Sequence, residues 1–246
     1  MAPDGGPIEE KDCLRDLGVR VSTDLTFNTQ IDMVVQAGSR MAGWALRTFR
    51  RRGRVLMLTL LRSLIQPRLD YCSQLWSPRD QASINRLEAV QRQFISQIRD
   101  GSLAGRNYWE QLSLLRVYSQ ERRRERYQVC FLWKQCQGLV SGYEIKWQWS
   151  DRRGRLAVPN KILHSAPSKV IKARERSLGV HGAHLFNLLP KTLRNENSGD
   201  FELFKNHLDI FLANIPDQPT TTGLARAAVT NSLLDQVPLV QNLNLD

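Results

Sequence analysis

Residues 28–69 read NTQIDMVVQAGSRMAGWALRTFRRRGRVLMLTLLRSLIQPRL. Ile31, Val34, Val35, Ala42, Ala45 and Phe49 recur at three- and four-residue steps, which lines them along one face of an α-helix. Asn28 or Thr29 offers a capping oxygen at its start, and Gly53 breaks it. A second apolar run through Leu56, Leu60, Leu61, Leu64 and Ile65 predicts an adjacent helix. It stops at Pro67, which has no amide donor for a helix interior. The outer faces carry Arg40, Arg47, Arg50, Arg51, Arg52, Arg54, Arg62 and Arg68, against Asp32 as the one acid of the stretch. Guanidinium groups stay charged and match phosphate geometry, so a basic helical pair of this kind points to a polyanion.

Upstream, Leu17, Val19 and Val21 alternate with polar residues as in a short strand, with order beginning near Asp16. Downstream, Asp80 is placed to cap a helix whose stripe is Ile84, Leu87, Gln91, Phe94, Ile95 and Ile98, ended by Gly101. A shorter helix spans Tyr108 to Leu115. A long one follows from about Ser119 to Gln137, with Tyr127, Cys130, Phe131 and Lys134 on one side. Beyond Gly138, glycines and prolines punctuate a basic segment for which loops and short strands are expected. Regular spacing returns at Leu185, Phe186, Leu188 and Leu189. It resumes in a helix capped by Asp200 that carries Phe201, Phe204, Leu208 and Phe211 and is closed by Pro216 and Pro219. The chain therefore reads as mainly α: a flexible segment 1–15, a helical bundle 16–140, a loop-rich basic region 141–219 with terminal helices, and a tail 220–246 that is a loose helix or disordered.

A hydrophobic content of 41% supports a packed core. A net charge of +11 favours a polyanionic partner, such as a nucleic acid contacted through its phosphate backbone, and leaves an anionic membrane surface open. No run of about 18 apolar residues is present, so no membrane span is expected. The polar, acidic start lacks the pattern of a secretory signal, so an intracellular location, nucleus or cytoplasm, is expected, with Cys13, Cys72, Cys130 and Cys136 as free thiols. Arg152, Arg153 and Arg155 beside Trp147 and Trp149 mix cations with flat aromatic faces. That mixture suits unpaired bases and equally suits loop packing.

Chemistry is expected to be absent. No Asp-Asp pair that could hold a catalytic metal occurs, no serine or cysteine sits in a nucleophile elbow, and no glycine-rich phosphate loop is found. His181 and His184 are close to metal-ligand spacing, but Cys130 and Cys136 form no Cys-x-x-Cys knuckle with them. No catalytic residue, metal, cofactor or small-molecule substrate is assigned. Trp76, at a helix-to-turn junction, reads as a core anchor. Arg122, Arg123, Arg124 and Arg126, alternating with Glu121 and Glu125, read as ordinary surface ion pairs along a helix.

Asp16-Leu17-Gly18-Val19, then Asp24-Leu25-Thr26-Phe27 and Ile31, resembles the palm–thumb junction of reverse transcriptases from non-LTR (LINE-type) retrotransposons. Leu61-x-x-Leu64-Ile65-x-Pro67-x-Leu69-x-Tyr71, Leu75-Trp76-Ser77-Pro78 and Leu87-Glu88-x-Val90-Gln91-Arg92 resemble that family's next segments. Leu112-x-Leu114-Leu115, Leu189-Pro190 and Phe204-Lys205-x-x-Leu208 continue the order through most of residues 16–219. Gln30 and Phe186 stand where the family usually has His and Trp. The resemblance implies the carboxy-terminal part of an RNA-directed DNA polymerase, with a thumb-like bundle that grips template and primer, hence the backbone of RNA or of an RNA–DNA or DNA duplex. The family's catalytic palm, with its Tyr/Phe-x-Asp-Asp motif, and its endonuclease would lie before Met1. The phosphate-contacting residues would be the arginines of residues 28–69 together with Arg152, Arg153 and Arg155, gathered along one groove. The alternative is a domesticated helical module that binds a protein partner.

Overall fold

The computed structural model describes residues 11–140, 173–175, 177–195, 199–219 and 231–236. These are mainly helical, with one two-stranded sheet. Strands β1 (Cys13–Asp16) and β2 (Val19–Ser22) pair antiparallel with Asp16 opposite Val19. Leu17 and Gly18 form the turn, both at positive φ (44° and 89°), the geometry that matches strand twist in a two-residue hairpin. This corrects the strand reading of Leu17, which is 86% exposed, and moves the start of order from Asp16 to within the segment read as flexible. The hairpin is pinned where the Tyr71 hydroxyl donates to the Leu17 carbonyl at 2.8 Å.

Helix α1 spans Asn28–Thr48. Its cap is Phe27 in the left-handed region, without a side-chain bond, so neither Asn28 nor Thr29 caps it. The turn before it is organised instead by the Asp24 carboxylate, which accepts from the Ser22 hydroxyl at 2.5 Å and the Thr26 amide at 3.1 Å. The buried stripe Ile31, Val34, Gly38, Ala42 and Ala45 narrows towards small residues. At Gly38 a β-carbon would stand 2.8 Å from Leu69 Cδ2 and 3.3 Å from Val90 Cγ1, so its absence sets how closely the neighbouring helices pack.

Residues 49–53 lie outside any helix, with Phe49 and Gly53 extended, and Gly53 caps the next helix; α1 itself ends five residues earlier, at Thr48. Helix α2 (Arg54–Leu60) runs through a π-helical stretch, Leu61–Ile65, into α3 (Gln66–Asp70). The run therefore does not stop at Pro67. The widened stretch places Pro67 in the first turn of α3, where its missing donor and ring are tolerated. Helix α4 (Ser73–Trp76) ends on Trp76, buried as expected, with Nε1 donating to the Tyr71 carbonyl at 2.8 Å.

Asp80 caps α5 (Gln81–Ile95) by accepting from the Ser83 amide at 2.8 Å. The helix ends at Ile95, and Gly101 opens a separate 3-10 turn that follows Asp100. Asn107 and Glu110 form a reciprocal capping box on α6 (Tyr108–Leu115), and Ser119 caps α7 (Gln120–Cys136). A second π-helical stretch, Leu178–Gly182, leads into α8 (Ala183–Asn187), followed by α9 (Lys191–Arg194) and α10 (Phe201–Ala213), which Asp200 caps.

Two apolar cores result. The first joins β2, α1 to α6 and Val117; the second joins Val129, Leu132 and Trp133 of α7 to α8, α9, α10 and Leu233. Trp133 stacks on Phe204 with centroids 4.7 Å apart. The cores meet along α7, which packs on α4 and α5 on one side and on α8 on another.

Candidate nucleic-acid interface

Helix α7 positions the site, and its setting differs from the surface ion pairs read from sequence. Arg122 and Arg124 are 0% and 1% exposed, and Glu121 and Glu125 are buried as well. The correction has a physical cause: α7 is covered on several sides, and residues 231–236, read as part of a loose tail, cover one of them. Glu121 accepts from the Asn231 amide at 2.8 Å and Glu125 from the Leu233 amide at 2.9 Å. Arg122 donates to the Gln236 side-chain oxygen at 2.7 Å. On the other side Glu88 of α5 accepts from the Gln120 amide at 2.7 Å and from the Tyr108 hydroxyl. Burial pushes Glu88 up to about 7 against these donors. Burial, helped by Glu125, pushes Glu121 up to about 7 although Arg124 opposes it.

Held in this way, α7 turns its remaining face, Tyr127, Cys130, Phe131 and Lys134, into a cleft of about 610 Å³ where the two cores meet. These are the four residues that the spacing placed on one side. Arg62 reaches the cleft from the π-helical stretch, Arg116 from the end of α6, Arg123 and Arg126 from α7, and Lys205 from α10. Asp209 is the one carboxylate among the lining residues.

Part of this charge is compensated. Arg126 makes a two-pronged pair with Asp209 at 2.5 and 2.7 Å; burial weighs against its charge, the carboxylate overrides that, and its pKa rises. Arg123 binds Asp70 at 2.6 Å and the Tyr127 hydroxyl at 2.6 Å. Lys205 pairs with Glu202 at 2.8 Å, and Lys134 sits 3.8 Å from the centroid of the Phe201 ring. Arg62 and Arg116 form no ion pair among the described residues.

Of the arginines read from sequence as phosphate contacts, Arg62 is the one among the described residues that lines this cleft. Arg40, Arg47, Arg50 and Arg51 are exposed outside it. Arg52 donates to the Gln97 side chain, Arg54 to the Leu114 carbonyl at 2.5 Å, and Arg68 to the Leu64 carbonyl of its own turn at 2.5 Å. A helix rotates successive residues by about 100°, and the π-helical stretch shifts that phase again, so the cleft takes one of these arginines and leaves the others outside it. Arg152, Arg153 and Arg155, with Trp147 and Trp149, lie outside the described residues. Sequence reading missed Arg116, Lys134 and Lys205 as site residues and gave Arg123 and Arg126 to the helix surface. Their separation along the chain hides their proximity, and only the one-sided stripe of α7 hinted at the wall they share.

Burial pushes the Cys130 thiol up to about 11, which keeps it protonated and unreactive near neutrality. His181 is buried with Nδ1 2.8 Å from the Gln128 side-chain oxygen, whereas His184 is exposed. Among the described residues no group of three or more His, Cys, Asp or Glu side chains could hold a metal ion, and no helix is long and apolar enough to cross a membrane. All four cysteines are free thiols. A second cavity, about 670 Å³ and mainly apolar, lies beside Phe27, Trp76, Pro78 and Leu178. Comparison of the chain with protein-family models, with curated proteins and with solved structures gave no match.

Proposed function

We propose that this chain grips the sugar–phosphate backbone of a nucleic acid across the cationic cleft, as the carboxy-terminal portion of a LINE-type reverse transcriptase, and contributes positioning without bond-forming chemistry. The observation that carries this reading is the convergence of Arg62, Arg116, Arg123, Arg126, Lys134 and Lys205 on one concavity with Asp209 as its lining acid. Contacts of this kind hold a strand without reading its sequence. The family reading draws on the ordered motifs; of their apolar members Leu61, Ile65, Leu69, Leu87, Val90, Leu112, Leu115, Leu189, Phe204 and Leu208 are buried, whereas Leu17, Leu25, Tyr71, Leu75 and Leu114 are exposed.

The test is equilibrium binding of an RNA–DNA hybrid between about 50 and 200 mM salt. Affinity should fall steeply with salt, and Arg62→Ala with Arg116→Ala should lower it and reduce the log–log salt slope by roughly one for each phosphate that is no longer neutralised. Binding that ignores salt and both substitutions would refute the cleft as the site. Primer extension by the purified chain would refute the absence of chemistry. A protein-docking reading draws on a different feature, the exposed apolar side chains Leu14, Leu17 and Tyr71 at the hairpin, where Tyr71 holds the turn. Binding of a protein partner that is abolished in Leu17→Asp, with no affinity for the hybrid, would favour it.

A further inference from the structure

Four of the tryptophans lie among the described residues, and three have an evident structural role: Trp76 and Trp133 are buried, and Trp109 packs against the first core. Trp44 belongs to neither core and is 46% exposed on the outer face of α1. Its indole makes an edge-to-face contact with Phe49, centroids 6.2 Å apart at 81°, which fixes the ring's orientation and leaves it open to solvent. Arg40 and Arg47 stand four residues before and three residues after it, hence on the same face, roughly 10 Å apart along the axis at 1.5 Å per residue. Gly43 lies between them, where a β-carbon would be only 3.3 Å from Arg47 Nη1, so the Arg47 side chain folds back along the helix towards Gly43. Arg40 and Arg47 form no ion pair among the described residues, and the single acid of α1, Asp32, is taken by Arg86 at 2.5 Å.

An oriented flat aromatic between two uncompensated cations has the chemistry of a nucleobase with a phosphate on either side. We infer that Trp44, Arg40 and Arg47 form a subsite for single-stranded nucleic acid, separate from the cleft, in which an unpaired base stacks on the indole and the flanking phosphates meet the two guanidinium groups. The inference rests on the nucleic-acid reading of the chain. It commits to an unpaired strand because a base inside a duplex has both faces covered by its neighbours.

The experiment compares the whole chain with its Trp44→Ala and Trp44→Phe variants by fluorescence anisotropy, on single-stranded RNA, single-stranded DNA and an RNA–DNA hybrid. Trp44→Ala should weaken single-strand binding about tenfold or more. Hybrid affinity should stay within about twofold, and Trp44→Phe should keep most of the single-strand affinity by retaining a ring. Single-strand affinity unchanged in Trp44→Ala, or an equal weakening on single strands and hybrid, would overturn the subsite. So would a Trp44→Ala variant that binds single strands normally but no longer sediments with phosphatidylserine vesicles. Failure of the parent reading looks different, since the unmodified chain would then bind none of the three nucleic acids.

Discussion

Arg124 is the residue whose environment departs furthest from its chemistry. It is fully buried, none of its three guanidinium nitrogens meets a hydrogen-bond partner among the described residues, and burial lowers its pKa while Glu121, Glu88, Asp70 and Glu125 hold the charge in place. Replacing such a group with an apolar side chain is neutral or stabilising only when the countercharges leave too. Arg124→Met should therefore destabilise the fold, and by more at pH 8 than at pH 5.5, because at the lower pH Glu88 and Glu121 can take up protons. Urea midpoints of the variant at the two pH values check this. Trp76 is the opposite case, a polar-tipped aromatic whose needs are met, and Trp76→Ala removes both its packing and its bond to Tyr71. A loss of about 3–5 kcal/mol in denaturant unfolding is expected. Trp76 was legible from its place at a helix-to-turn junction. Arg124 was not, since an alternation of Arg and Glu on a helix describes a solvated face equally well and only the neighbours of that face decide.

Among the elements, caps carried over from sequence to structure where a short acid precedes the apolar stripe, and failed where the preceding turn had other uses for its backbone. Asp80 and Asp200 each accept amides from the first turn of the helix that follows. Asp80→Ala and Asp200→Ala should each cost about 1 kcal/mol in thermal or urea unfolding. The two losses should add within about 0.5 kcal/mol because the caps belong to different helices. At α1 the hairpin dictates entry through Phe27 at positive φ, which displaces the expected capping residues. Pro67 makes the same point from the other direction. Taken residue by residue a proline ends a helix, yet the π-helical stretch before it moves the hydrogen-bond register and lets the chain continue.

For the whole molecule, the buried carboxylates where α5, α6, α7 and residues 231–236 meet make stability depend on pH. Glu88 and Glu121 titrate near 7 when folded and near the usual 4.5 when unfolded, so between these values the folded chain binds more protons than the unfolded one. Stability should be full below about pH 4.5 as far as these groups are concerned and should decline as pH rises through about 7. Glu121→Gln should flatten the decline, as read from unfolding midpoints between pH 5 and 8. What the sequence determined by itself was local: helical periodicity, the caps at Asp80 and Asp200, apolar stripes that had to be buried, and an excess of positive charge. These follow from geometry that repeats every few residues and need no knowledge of what lies across the fold. Only the tertiary structure decided which cations meet, because Arg62, Arg116, Lys134 and Lys205 come from separate segments, and which charged residues lose their water. The physical reason is that a side chain's burial and electrostatic surroundings belong to the packing of several elements around it, and α7, covered on more than one side, is where that packing turns a polar sequence into an interior.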